Sequence, residues 1–163
     1  MFRRMSEPSI RPLATDAEAR ACAEIMSSND PWRRLGRTFD VSYAMMRDPA
    51  REVYLAIDGD TVAGFLIVIM HGVLAGYIQT VAVREAWRGR GLGSALIDFA
   101  ERRILREQPN VFICVSSFNP DARRLYERLG YAVVGELPDF VVRGHSEIIL
   151  RKTTGPLTEF ERR

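Results

Sequence analysis

The sequence predicts an α+β fold: a mixed, mostly antiparallel sheet of about seven strands with a central βαβ unit and about four helices. Three observations carry that prediction. The front half holds β-rich runs joined by the tight-turn tripeptide "DGD" at 58–60 and by "HGVLAG" at 71–76, which makes an antiparallel meander. From Gly91 the apolar spacing changes from strand-like to helical, with Leu92, Ala95, Leu96, Phe99, Ala100 and Ile104 falling on one helix face. "NVFICVSS" at 110–117 then reads as a fully buried strand, and a strand–helix–strand order suggests a parallel pair with a crossover.

The elements follow in order. "PSIRPLA" (8–14) is a short first strand. "TDAEA" is a capping box, with Thr15 as N-cap and Glu18 three residues on, so a helix runs from about Asp16 to Met26. Between 27 and 48 two short helices are expected, one started by Asp30 and Pro31 and one from about Asp40. "REVYLAIDGDTVAGFLIVIM" gives two strands and "AGYIQTVAV" a third. "NPDARRLYERLGY" has the clearest helix boundaries in the chain, with Asn119 as N-cap, Pro120 at the first helical position, Asp121 in the first turn and Gly130 as the left-handed terminator. "YAVVGEL" and "SEIILRK" complete the sheet.

Composition narrows the class. The 163 residues suit one domain, and 47% hydrophobic with 27% charged residues is a globular balance. Flexible ends are expected only at 1–7 and 153–163. The longest apolar stretch, 62–70, is interrupted by Gly64 and is far shorter than the ~20 residues a membrane helix needs. "MFRRM" lacks the apolar segment of an export signal, and the two distant cysteines, Cys22 and Cys114, suit a reducing cytoplasm rather than a metal or disulfide site. A net charge of +2 gives no general affinity for nucleic acid, and Lys152 is the only lysine beside many arginines.

The chemistry concentrates in "VAVREAWRGRGLG" at 81–93, where an apolar strand runs into three arginines and alternating glycines. A P-loop would need a lysine that is absent here, and a dinucleotide fingerprint begun at Gly89 would need its third small residue at Ser94 and a different strand context. The remaining pattern, Q/RxxGxG/A, is filled by Arg88, Gly91 and Gly93 between the strand "TVAV" and an amphipathic helix. Here the sequence resembles the GCN5-related N-acetyltransferase family. "NPDARRLYERLGY" resembles that family's second signature, and the two together cover about residues 76–131.

The resemblance implies an acyl-CoA N-acyltransferase fold and acetyl-CoA as the acyl donor, with no metal. Its pyrophosphate would lie on the amides of Arg88, Gly89, Arg90, Gly91, Leu92, Gly93 and Ser94, where missing Cβ atoms and a helix N-terminus favour an anion. Its pantetheine arm would bond to the backbone of Val81, Ala82 and Val83, freed by a β-bulge near Val81, whose amide would polarise the thioester. Asn119 would lie beside the arm and Tyr126 would be the general acid, since a phenol is protonated at neutral pH. Transfer would be direct, leaving Cys114 as a core thiol.

The family's strand-four glutamate is missing: "GYIQT" offers Tyr77 and Gln79 instead. The base therefore stays open among His145, Glu147, Asp139, His71, Glu52 and water. "NDPWRRLGRTF" and "LPDFVVRGH" would border the acceptor, with Trp32, Phe39 and Phe140 as candidate walls. The expected partner is an amine, of a peptide or protein or of a small molecule, with no nucleic acid and no membrane. A homodimer is left open. The rival from another class is a catalytically silent acyl-CoA sensor.

Overall fold

The computed structural model describes residues 8–162 and contains one seven-stranded sheet with helices on both faces. The elements are β1 (Ser9–Pro12), α1 (Asp16–Ser28), α2 (Phe39–Arg47), β2 (Glu52–Asp58), β3 (Thr61–Ile69), β4 (Tyr77–Val83), α3 (Leu92–Ile104), β5 (Asn110–Ser116), α4 (Pro120–Arg128), β6 (Ala132–Pro138) and β7 (Ser146–Thr153). The spatial order is β1-β2-β3-β4-β5-β7-β6. Every neighbouring pair is antiparallel except β4 and β5, the parallel pair bridged by α3. The expected mixed sheet, central βαβ unit and four helices are all present.

Residues 1–7 and 163 lie outside the described residues. The chain after 152 continues through the last residue of β7 and a short 3-10 helix at Leu157–Glu159.

The core follows from alternation along β3. Phe65 and Ile67 face α1 and α2, joining Cys22, Ile25, Met26, Met45 and Met46. Leu66 and Val68 face the other way, onto Leu92, Leu96, Ala100 and Ile104 of α3. With both faces covered, β3 is buried from Val62 to Val68, which is why its sequence reads as an unbroken apolar run. Among the described residues, no helix is long and apolar enough to cross a membrane.

One predicted helix does not form. Residues 30–37 make successive turns, with the Leu35 amide donating to the Pro31 carbonyl and the Arg37 amide to that of Trp32. Gly36, at φ 71°, breaks the helical path before a further turn can build on these bonds. The segment is thereby left as a compact loop against the sheet, and α2 starts afresh at its own cap, where the Thr38 hydroxyl accepts from the Val41 amide.

Candidate active site

The site is built where β4 and β5 part. They pair at only two positions, Tyr77 with Phe112 and Ile78 with Ile113, with the Phe112 amide donating to the Gly76 carbonyl at 2.9 Å. Gly76 makes this approach possible: at φ 87°, an added Cβ would stand 2.5 Å from the Asn110 carbonyl oxygen. Beyond Ile78 the ladder ends, although β4 runs on to Val83 and β5 to Ser116. On its other edge β4 carries a bulge: Ile67 pairs with Thr80 and Val68 with Ile78, which leaves Gln79 as the extra residue. The bulge expected near Val81 thus falls at Gln79, still on the stretch of β4 that turns away from β5.

A cavity of about 310 Å³ occupies the gap. Tyr77, Gln79, Thr80 and Val81 of β4 line one side, Cys114 and Ser116 of β5 with Glu147 of the neighbouring β7 the other, and Tyr126 of α4 also lines it. Its mouth is bordered by Pro31, Trp32, Leu35 and Arg37 from the 30–37 turns and by Phe140 and Val141 from the β6–β7 connection. The two segments expected at the acceptor side therefore meet here. Phe39 instead stacks on Tyr43, with ring centroids 6.0 Å apart.

Electrostatics separate the titratable groups. Burial pushes the Tyr126 phenol up to about 12, with the Cys114 sulfur adding to the effect, so the hydroxyl holds its proton. Burial, then Cys114, raises Tyr77 further. The Cys114 thiol is raised mainly by burial, partly offset by its hydrogen bond with Tyr77, which disfavours a nucleophilic thiolate.

Of the five residues considered as base, Glu147 lines this cavity; across the β5–β7 ladder it accepts a hydrogen bond from the Ser116 hydroxyl. Glu52 is taken up elsewhere, accepting from Arg103 Nη2 at 2.6 Å and from the Tyr54 hydroxyl at 2.6 Å. His71 is exposed in the turn before β4. Asp139 accepts from the Gly144 amide at 2.5 Å, and His145 sits edge-on to Phe118, 5.0 Å between centroids. Gln79, at the position of the missing glutamate, accepts from Arg51 Nε at 2.9 Å.

The glycine turn follows directly at the end of β4. Gly89 and Gly91 have φ of 70° and 79°, and an added Cβ at either would meet nothing within 4 Å, so backbone shape rather than crowding requires them. Gly91 is the N-cap of α3 with no side-chain cap, so the first-turn amides of Leu92, Gly93 and Ser94 have no intrahelical acceptor. The Leu92 side chain is buried in the core and only its backbone faces the turn. Arg88 folds back, its Nε donating to the Val83 carbonyl at 3.1 Å. Ala82 is fully buried against the α1 face. Asn119 caps α4 as expected, Oδ1 accepting from the Ala122 amide at 3.3 Å. Of the residues predicted for the site, Val81 and Tyr126 line the cavity, while 88–94 continue from it along the chain.

This arrangement has known counterparts. The family model for the acetyltransferase (GNAT) family matches residues 19–131, from α1 to the start of β6. The chain belongs to the GNAT acetyltransferase family. A curated relative, acetyltransferase Atu2258 of Agrobacterium fabrum, is 38% identical to this GNAT chain over 61 residues, 37% of the chain and 44% of the relative. The chain spans less than half the length of the curated relatives it matches. Among solved structures, a GNAT-family protein of Desulfovibrio desulfuricans superposes with a TM-score of 0.77 at 20% identity, covering 90% of this chain and 99% of that one. An aminoglycoside 6'-N-acetyltransferase complexed with coenzyme A superposes at 0.74 and 18% identity, covering 91% and 98%. These likenesses establish the GNAT fold.

Proposed function

We propose that this GNAT chain is an N-acetyltransferase that moves the acetyl group of acetyl-CoA to a primary amine by direct attack. The observation that carries the reading is the gap between β4 and β5, where the Val81 backbone, the Tyr126 phenol and the Glu147 carboxylate share one cavity at the end of a strand leading into the glycine turn.

The residues present fit the donor. The edge of β4 over Val81, Ala82 and Val83, unpaired toward β5, offers backbone groups to an amide-rich arm. The amides of residues 88–94, with open space above Gly89 and Gly91, form a cradle for pyrophosphate at a helix N-terminus. Coenzyme A in the solved aminoglycoside enzyme supports the same donor class.

Acetyl-CoA, when bound, supplies an acetyl group activated as a thioester. The Val81 amide hydrogen-bonds the acetyl oxygen. Glu147 takes one proton from the acceptor ammonium, directly or through water, and passes it to solvent. As the N–C bond forms and the C–S bond breaks, Tyr126 gives its phenolic proton to the departing sulfur and is restored by the second proton of the nitrogen. Cys114 forms no bond in this scheme.

The test pairs calorimetry with thiol release. Acetyl-CoA binds the wild type, and Gly91→Glu abolishes binding by placing a carboxylate where the pyrophosphate lies. Unchanged affinity in that variant would overturn the donor placement, and absence of thiol release across a broad amine screen would overturn the activity.

A further inference from the structure

The cavity holds two charged side chains, Arg37 and Glu147, of opposite sign. They do not approach within 4.0 Å of each other to form an ion pair. Most arginines with neighbouring acids are paired, as in Arg11 with Glu18 at 2.6 Å, Arg20 with Asp16 at 2.8 Å and Arg103 with Glu52 at 2.6 Å. Arg34, three residues before Arg37, is exposed and lies 4.1 Å over the Phe118 ring. Arg37 is partly buried and lines the cavity, yet its guanidinium makes no ion pair or side-chain hydrogen bond among the described residues. A guanidinium partly withdrawn from water at a cavity, with no ion-pair partner of its own, is suited to a ligand that brings an anion.

Around this pair the mouth is apolar, with Trp32, Leu35, Phe140 and Val141. Phe140 is 66% exposed in the chain alone, so apolar surface stands ready at the entrance.

We infer that the acceptor is a free amino acid with an apolar side chain: Arg37 holds its carboxylate, Glu147 faces its ammonium, and the mouth covers its side chain. This rests on the acetyltransferase reading and narrows it. A peptide N-terminus, whose carboxyl is tied up as an amide, leaves Arg37 without its anion and is the disfavoured substrate. The transfer itself is the one described: the amino nitrogen gains the acetyl carbon, the sulfur leaves with the Tyr126 proton, and the carboxylate does not react.

The experiment compares L-leucine, L-methionine and L-phenylalanine with their C-terminal amides. Each is measured by thiol release with acetyl-CoA and by calorimetric binding in the presence of coenzyme A. The free acids are expected to exceed the amides by roughly 10- to 100-fold in kcat/KM, the range of a hydrogen-bonded charge contact. Arg37→Gln should remove the preference through KM, and Arg37→Lys should restore part of it. Unchanged acetyl-CoA affinity in both variants verifies that they fold. Amines acetylated with no preference for the free carboxylate, or with a preference that survives Arg37→Gln, overturn the inference and leave the acetyltransferase reading intact. Amino acids bound in an Arg37-dependent way without thiol release support the acceptor site and overturn the activity. Free acids that neither bind nor react overturn the inference.

Discussion

At the residue scale, the two residues proposed as proton carriers differ in how visible they were. Tyr126 is legible because it sits inside a locally defined helix whose cap, first-turn proline and terminator are contiguous in sequence. Glu147 stood as one of several acids, because its place beside the cavity depends on β7 inserting between β5 and β6. Arg37 is one of three arginines within 33–37, and no local signal separates a guanidinium at a cavity from its exposed neighbours. Tyr126→Phe should lower kcat by about 10²- to 10⁴-fold, the usual range for a lost general acid, with acetyl-CoA affinity unchanged by calorimetry. Since burial holds the Tyr126 phenol at about 12, its acid form persists far above neutrality. The wild-type kcat should therefore show no descending limb between pH 7 and 10; such a limb would remove Tyr126 from the donor role. Glu147→Gln should be slow at neutral pH and recover as pH rises and the amine deprotonates without help, and a uniformly reduced profile would argue against Glu147 as base.

Elements show which local signals survive the tertiary context. The capping box of α1 forms as read: the Thr15 hydroxyl accepts from the Glu18 amide at 3.2 Å, and the Glu18 carboxylate accepts from the Thr15 amide at 3.1 Å. It also accepts from Arg11 of β1 at 2.6 Å, tying the first strand to the first helix. Arg11 first, aided by the Ala14 and Thr15 amides, depresses the Glu18 carboxyl to about 2. A carboxyl depressed in the fold stabilises it above its unfolded range and loses that contribution as pH falls toward the folded value. Thermal melts should therefore show Glu18→Gln less stable than wild type at pH 6, with the two converging between pH 4.5 and about 2. A constant difference across that interval would mean that charge plays no part. The 30–37 segment shows the reverse. Pro31 is a sound start signal, but only four residues separate it from Gly36, too few to repay helix nucleation.

On the scale of the whole molecule, the sheet was legible because alternation and buried runs mark each strand. The placement of β7 between β5 and β6 was not, since nothing local states which edge a late strand joins. The closed end of the β4–β5 gap depends on Gly76, where a Cβ would also meet Ile104 Cγ2 at 2.7 Å. Gly76→Ala should destabilise the protein by roughly 1–3 kcal/mol in denaturant unfolding and weaken acetyl-CoA binding together with it. An unaffected midpoint would show that the strands can close without this approach.

Where β4 leaves β5, its free edge presents main-chain groups at strand intervals, so the donor arm proposed for that gap would be read by backbone. Recognition by main chain places little demand on the side chains of 81–83, which need only alternate between the two faces of the sheet, Val81 and Val83 toward the α3 core and Ala82 toward the α1 core. The best-shaped part of the molecule is therefore the part least written in residue identity. An acceptor held by Arg37 and Glu147, as inferred above, is the opposite case, readable in side chains once the fold has brought them to one cavity.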